Sequence, residues 1–312
     1  MEATILLSDQ AVAGLLSGNL RRIIEEGRRS IRPVARIAVS EWADRNRVLP
    51  ETSVEPGPWR TDRAPHTREI MDAIMSADVR QVTVMGSAQI GKTEMINNII
   101  AYHIDVAPCA VMVMQPTEKD ARDYVLQKLE PMLEDTRCLT RKVAKKKSRD
   151  SENSILRKKI AGGYLTIVSG TAASSLRGRS AKVTIGDDID AIRVDITNEG
   201  DPILRLIKRS TTYPDHLNWN ISTPTYEGES RIETLYKQGT MERYNVQCPH
   251  CDEWIVLMEE QLVWEKEMDM FGKVLEHKVG TVLYTCQRCG AMINEGQRME
   301  MLRRGRDRKS VV

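Results

Sequence analysis

A chain of 312 residues with 41% hydrophobic and 29% charged side chains has the composition of an ordinary globular protein, long enough for one large domain or about two ordinary ones; fibrous, collagenous and small disulfide-scaffold classes are excluded. No run approaches the roughly 18 to 20 apolar residues that a membrane helix needs, and the N-terminus, with Glu2 and Asp9 before Leu16, has no basic start followed by an apolar stretch, so neither a secretory signal nor a membrane partner is expected and the chain is read as cytoplasmic. The formal charge of +2 hides a local excess: residues 141–160 carry nine Lys/Arg against Asp150 and Glu152, which is +7 there and −5 elsewhere, and such a run either meets an anion or lies in solvent.

Taken in chain order, Ala11 to Glu26 places Val12, Leu15, Leu16, Leu20, Ile23 and Ile24 at near-helical spacing, which predicts a helix ended by Pro33. From Arg47 to Pro65, Pro50, Pro56, Gly57, Pro58 and Pro65 surround Trp59 and predict an extended approach to the core. A helix near Thr67 to Ala77 follows. Strands are then predicted at Val79 to Met85 and Ala110 to Met114, with helices at Lys92 to Val106 and Glu118 to Leu133. Further strands are predicted at Tyr164 to Ser169, Ala181 to Ile185 and Leu217 to Ser222. Apolar strands alternating with helices imply an α/β fold with a mostly parallel sheet covered on both faces. From about Glu242 paired cysteines and short β-rich runs announce a small second module.

Gly86-Ser87-Ala88-Gln89-Ile90-Gly91-Lys92-Thr93 satisfies G-x-x-x-x-G-K-[ST] between a predicted strand and a predicted helix, the context that makes the motif a phosphate-binding loop. Its backbone N–H groups and the helix N-terminus would hold the phosphates of ATP, Lys92 would reach the β/γ-phosphates, and Thr93 would hold Mg²⁺. Nucleotide hydrolysis also needs carboxylates at a neighbouring strand end. Within Gly186-Asp187-Asp188-Ile189-Asp190, Asp187 is assigned to the metal and Asp188 to the attacking water. Arg177 and Arg179 precede that strand; Arg177 is the candidate to stabilise charge on the transferred phosphoryl group, with a solvated loop arginine as the other reading.

Cys248-Pro249-His250-Cys251 and Cys286-Gln287-Arg288-Cys289-Gly290 form two Cys-x-x-Cys pairs 34 residues apart. Four thiolates at these spacings can close a tetrahedral, structural Zn²⁺ site with no open position for catalysis; a redox pair is the alternative. His250 is not assigned as a ligand, and Cys109 and Cys138 are read as small apolar residues.

These residues and several others resemble the large terminase subunit of tailed bacteriophages, lambda-type branch. The resemblance runs from about Glu41 and rests on Glu41-Trp42-Ala43-Asp44-Arg45, Pro56-Gly57-Pro58-Trp59-Arg60-Thr61, Glu69-Ile70-Met71-Asp72, Ser87 to Glu94, Gln115-Pro116-Thr117, Glu199-Gly200-Asp201-Pro202, Ser222-Thr223-Pro224-Thr225 and the cysteine pairs. It implies a P-loop NTPase of the additional-strand type, related to helicases and recombinases, that moves double-stranded viral DNA into proheads. Ser222, Thr223 and Pro224 resemble the segment coupling hydrolysis to movement, and Pro65 to Glu69 the adenine-contacting region. The implied partners are the small terminase subunit, the portal of the prohead and further copies of the chain in a ring, in the host cytoplasm and not in the mature virion.

The resulting division is residues 1–46 as a helical segment that could dock the small subunit, 47–241 as the ATPase motor, and 242–306 as a zinc-ribbon-like module. Three departures from the family stand out. Asp188 replaces its usual glutamate and is one methylene shorter; Thr67 stands where relatives often carry an amide; and the family's RNase H-like nuclease domain is expected to be missing. Asp307 to Val312 can be encoded by GATCGGAAGAGCGTCGTG, which matches a common sequencing-library adapter, so the natural sequence is expected to continue from about Gly305 or Arg306; a genuine basic tail is the other reading. Two other functions stay open: a standalone helicase-like DNA-dependent ATPase, and a zinc-ribbon DNA-binding adaptor with a degenerate ATPase core.

Overall fold

The computed structural model describes residues 37–143, 154–194, 200–271 and 273–309. The expected helix at Ala11 to Glu26, the middle of the basic run and Glu199 lie outside them. Residues Ile37–Val312 form one compact unit. The first helix, α1 (Val39–Asn46), buries Val39, Trp42 and Ala43 in the main core, and the Trp42 indole donates to Asp105 Oδ2 at 2.7 Å. The core therefore begins ahead of the boundary expected at residue 47. A short antiparallel pair, β1 (Val48–Leu49) and β2 (Gly57–Pro58), replaces the purely extended approach. It leads through a 3₁₀ turn to α2 (Thr67–Asp72).

The central sheet has six strands: β3 (Gln81–Met85), β4 (Val111–Gln115), β5 (Arg157–Ile160), β6 (Gly163–Ser169), β7 (Val183–Asp187) and β8 (Leu217–Ser222). Their spatial order is β3-β8-β7-β4-β6-β5, with every pair parallel except β5–β6. β8 is inserted between β3 and β7, so one additional strand separates the strand before the phosphate loop from the strand that ends in the acidic pair. All five residues of β4 are buried, as a strand covered on both faces requires. One face packs on α3 (Lys92–Asp105) and α4 (Glu118–Tyr124) through Ile96, Ile99, Ala121 and Tyr124. The other gathers Met112, Met114, Val168, Leu176 and Ile203, the last from α6 (Pro202–Ile207).

Two differences from the sequence reading have local causes. The helix expected to run unbroken over Glu118 to Leu133 is α4, a π-helical turn at Val125–Leu129, and α5 (Glu130–Asp135). Pro131 lacks an N–H and its ring crowds the carbonyl of the previous turn, and the wider turn absorbs this. β5 was not expected: Arg157, Lys158 and Lys159 read as a charge run, yet the strand pairs antiparallel with β6 through its backbone, which needs no apolar side chains at a sheet edge.

After β8 the chain forms α7 (Arg231–Lys237) and enters the cysteine module. There β9 (Glu242–Gln247) pairs with β10 (Trp254–Ile255), β11 (Leu262–Val263) with β14 (Leu283–Thr285), and β12 (Lys266–Met268) with β13 (Val274–His277). β15 (Met292–Ile293) extends the β14 pair, α8 (Glu295–Arg303) follows, and β16 (Arg306–Lys309) returns to β9. A separate small core holds Val246, Cys248, Ile255, Tyr284, Cys286 and Ile293. No helix among the described residues is long and apolar enough to cross a membrane.

Candidate active site

The parallel register brings the carboxyl ends of the strands to one side of the sheet: Met85 lies opposite Ser222, Asp187 opposite Ile221, and Gln115 opposite Ser169. From Met85 the chain turns through Gly86 to Gly91, where Gln89 (φ 63°) and Gly91 (φ 85°) take left-handed conformations. Gly91 tolerates that conformation without steric cost and lets the loop reverse into the first turn of α3. The loop is tied to the next strand by Gly86 N–H donating to Ser222 O at 3.2 Å.

Lys92 folds back over this loop. Its ammonium donates to Gly86 O at 3.2 Å, Ser87 O at 2.7 Å and Thr223 Oγ1 at 2.5 Å. Burial pushes the ammonium below its ordinary value, and the charges of Asp188 and Asp187 pull it back. Thr93 occupies the first turn of α3 beside it.

Asp187 and Asp188 differ sharply although they are neighbours. Asp187 is only 8% exposed, and Gln115 Nε2 donates to its Oδ2 at 2.9 Å. Burial pushes this carboxyl up to about 6, with Asp188 adding repulsion and Gln115 and Lys92 opposing. A desolvated carboxylate of this kind is stabilised by a nearby cation. Asp188 is exposed and takes a left-handed conformation, φ 51°, which turns it out of the strand's alternation. The Ser222 hydroxyl lies 3.3 Å from Asp188 Oδ1 and 3.0 Å from Thr223 O. One connected set of polar contacts thus runs from Lys92 through Thr223 and Ser222 to Asp188.

Asp190 extends that set and was not singled out from sequence. Its backbone N–H donates to Ser222 Oγ at 3.2 Å. Its carboxylate accepts from Thr225 N at 3.0 Å, Thr225 Oγ1 at 3.2 Å and Ile232 N at 2.8 Å. Burial alone would raise its carboxyl; hydrogen bonds from Ser230, Ile232 and Thr225 outweigh that and hold it below the usual range. The signal in the sequence was a third aspartate two positions after the pair.

The loop borders a cavity of about 950 Å³, lined by Gly86, Ser87 and Ile90 on one side and by His66, Glu69 and Tyr244 on others. His66 Nε2 lies 2.9 Å from Ile90 O, and its ring meets Tyr244 edge-on at 6.1 Å. Thr67, the position expected near the base, is buried and its hydroxyl donates to Ala64 O at 2.7 Å. It serves the start of α2, and His66 is the residue that faces the cavity.

A family model described as phage terminase large subunit gpA, ATPase domain, matches residues 53–306. The chain belongs to this family. It is 30% identical over 283 residues to the terminase large subunit of Escherichia phage lambda, covering 88% of this chain and 43% of that protein. It is 28% identical over 263 residues to the terminase large subunit of Enterobacteria phage P21, covering 82% and 40%. The chain thus spans less than half the length of these relatives. The HK97 bacteriophage large terminase shares the fold, with a TM-score of 0.51 at 16% identity, over 64% of this chain and 40% of that one.

The four cysteines of this terminase ATPase region converge. Their sulfurs lie within 4.8 Å of one another, with Cys248–Cys289 at 4.0 Å and Cys251–Cys286 at 3.9 Å. A tetrahedral site with Zn–S bonds near 2.3 Å has sulfur–sulfur edges of about 3.8 Å, so the donors fit that ion. The two turns are built alike: the residue after each second cysteine, Asp252 (φ 60°) and Gly290 (φ 73°), is left-handed, and its N–H donates to the carbonyl of Cys248 or Cys286. N–H groups of His250 and Arg288 also face Cys248 Sγ and Cys286 Sγ, at 3.5 and 3.4 Å. The His250 ring lies by Gln297.

Arg177 is exposed on the return from β6 to β7. Arg179 lines a different cavity, with Val111 and Tyr164, at the amino-terminal half of the sheet and away from the phosphate loop.

Proposed function

We propose that this chain is the ATP-hydrolysing motor part of a phage terminase large subunit, driving double-stranded viral DNA into proheads. The observation that carries the reading is the cluster in which Lys92, Thr223, Ser222 and Asp188 meet at adjacent strand ends beside the buried Asp187. Gly86 to Gly91 receive the phosphates on their N–H groups, and Lys92 exchanges its loop carbonyls for β/γ-phosphate oxygens. Thr93 and Asp187 are the residues to hold Mg²⁺, which when bound neutralises phosphate charge and polarises the γ-phosphoryl group. Asp188, turned toward solvent, orients the attacking water or takes its proton. Arg177 is assigned to the charge that develops on the transferred group. The nucleoside lies in the cavity beside His66.

Ser222 to Pro224 form the coupling segment: Thr223 touches Lys92 directly, so loss of the γ-phosphate changes what the segment is bonded to. The cysteine module is read as zinc-ribbon-like, with Cys248, Cys251, Cys286 and Cys289 holding one structural Zn²⁺. The expected partners are double-stranded DNA, the small terminase subunit, the portal and further copies of the chain in a ring, all in the host cytoplasm.

Lys92→Ala tests the reading. Steady-state hydrolysis should fall by about 100-fold or more, with circular dichroism and zinc content unchanged. Unchanged turnover would show that the phosphate loop is misassigned. A wild-type chain that fails to hydrolyse ATP would favour the DNA-binding adaptor, and strand separation without proheads the standalone helicase-like enzyme.

A further inference from the structure

A second cavity, of about 150 Å³, opens at the amino-terminal half of the sheet, opposite the edge that carries the phosphate loop. Its polar lining comes from Arg157 at the start of β5, Thr166 and Tyr164 on β6, and Arg179 on the loop before β7. Arg157 and Thr166 are register partners, which sets both at one depth. The Arg157 guanidinium stacks on the Tyr164 ring at 3.9 Å, a contact that holds the group flat and leaves its N–H edge for another ligand. Its Nε is shielded from solvent and has no hydrogen-bond partner among the described residues. Arg179 likewise meets no carboxylate among them. Two guanidiniums facing one small cavity without an acid repel each other and lose hydration, an arrangement that an oxyanion relieves. The volume suits a single phosphate group, and the planar forks match its oxygens.

We propose that Arg157 and Arg179 form a phosphate-binding site for the backbone of double-stranded DNA. This inference rests on the motor reading above and adds a specific contact to it. The site lies across the sheet from the nucleotide, so it holds backbone phosphate without competing with ATP. Lys158, the next residue of β5, is paired with Glu130 at 2.7 Å, so the charge at this site is that of the two arginines. Such a contact carries no sequence information, as a motor that moves any DNA requires.

The test is fluorescence anisotropy of a labelled duplex with the full chain, from about 50 to about 200 mM salt. Arg179→Gln and Arg157→Gln should each weaken binding about tenfold at the lowest salt and reduce the slope of log K against log salt by about one; the double variant should reduce it by about two. Lys119→Gln, an exposed charge on α4, controls for loss of a charge elsewhere and should leave the slope unchanged. Arg179 has no ring stack of the kind that holds Arg157 on Tyr164, so it carries the test if Arg157→Gln melts early, and ATP hydrolysis without DNA should be unaffected by Arg179→Gln. Wild-type slopes in both variants would overturn the site. A wild-type chain that binds no duplex would overturn the motor reading instead. In a second arm, inorganic phosphate alone is asked to protect Arg179 from phenylglyoxal; protection with an unchanged duplex slope would mean a free anion site and would overturn the assignment to DNA.

Discussion

Asp190 uses both carboxylate oxygens on the segment that follows β8, with Thr225 on one and Ile232 on the other, while its N–H holds the same Ser222 hydroxyl that faces Asp188. It is a positioning residue. Movement of the proposed coupling segment would therefore reach the acidic pair and the first turn of α7 together. Asp190→Asn keeps the shape but removes the charge and one acceptor oxygen, and hydrogen bonds to a charged group are worth about 1.5 to 3 kcal/mol each. The expected result is kcat reduced about tenfold with KM for ATP near wild type, since nothing that cradles phosphate is touched. A merely structural role would lower the melting temperature and leave kcat in place. Thr225→Val removes only the hydroxyl bond to Asp190 and keeps the backbone N–H donor, so it should lose less kcat than Asp190→Asn, and the double variant should lose less than the sum of the two. The motif letters marked the loop, Lys92 and the Asp pair because their chemistry is local in sequence. The contacts of Asp190 with Ile232 and of His66 with Tyr244 are not legible there, because those partners are distant in sequence and only the fold brings them near; the Pro65 to Glu69 stretch marks the region of His66 but not the residue.

At the scale of elements, β4 and β8 are legible because their residues are buried on both faces; burial demands apolar side chains and so writes itself into composition. β5, held by backbone pairing at a sheet edge, leaves no such record. The approach to the core, expected to be extended, also anchors α3 through its first residue. Arg47, 1% exposed, donates to Glu94 Oε2 at 2.7 Å and to the carbonyl of Val48. Burial lowers its ordinary value while Glu94 and other acids pull it back. Glu94 directly follows Thr93, so this pair fixes the helix turn that carries the hydroxyl proposed to hold Mg²⁺. Removing one member of a buried pair costs about 3 to 5 kcal/mol, whereas replacing both by apolar groups is often close to neutral. Glu94→Leu should therefore destabilise the chain by roughly that amount in urea unfolding, and Arg47→Met with Glu94→Leu should recover most of it. Equal loss in the single and double variants would mean that packing, not charge, dominates there.

Across the whole molecule, the cysteine module is more than an appendage, because its first strand helps to enclose the cavity beside the phosphate loop, where the nucleoside is proposed to lie. Tyr244, on β9, faces His66 and donates to Leu302 O on α8, and β9 runs directly into the first cysteine turn, where Cys248 N–H donates to Glu253 O. The module's core is small, with seven buried residues among the described ones, two of them cysteines, so the proposed metal cross-link would contribute much of its stability. Loss of zinc should then loosen one wall of the cavity while leaving the phosphate loop, which belongs to the central sheet, intact. Cys286→Ser, or exhaustive chelation, should remove about one zinc per chain and weaken binding of ATP and ADP several-fold, while pyrophosphate, which needs only the loop and Lys92, should bind as before. Equal weakening for all three ligands would mean that the module supports the whole sheet. No weakening for any would mean that Tyr244 and its strand hold their place against His66 without the metal, and that the base is held by α2 and β3 alone.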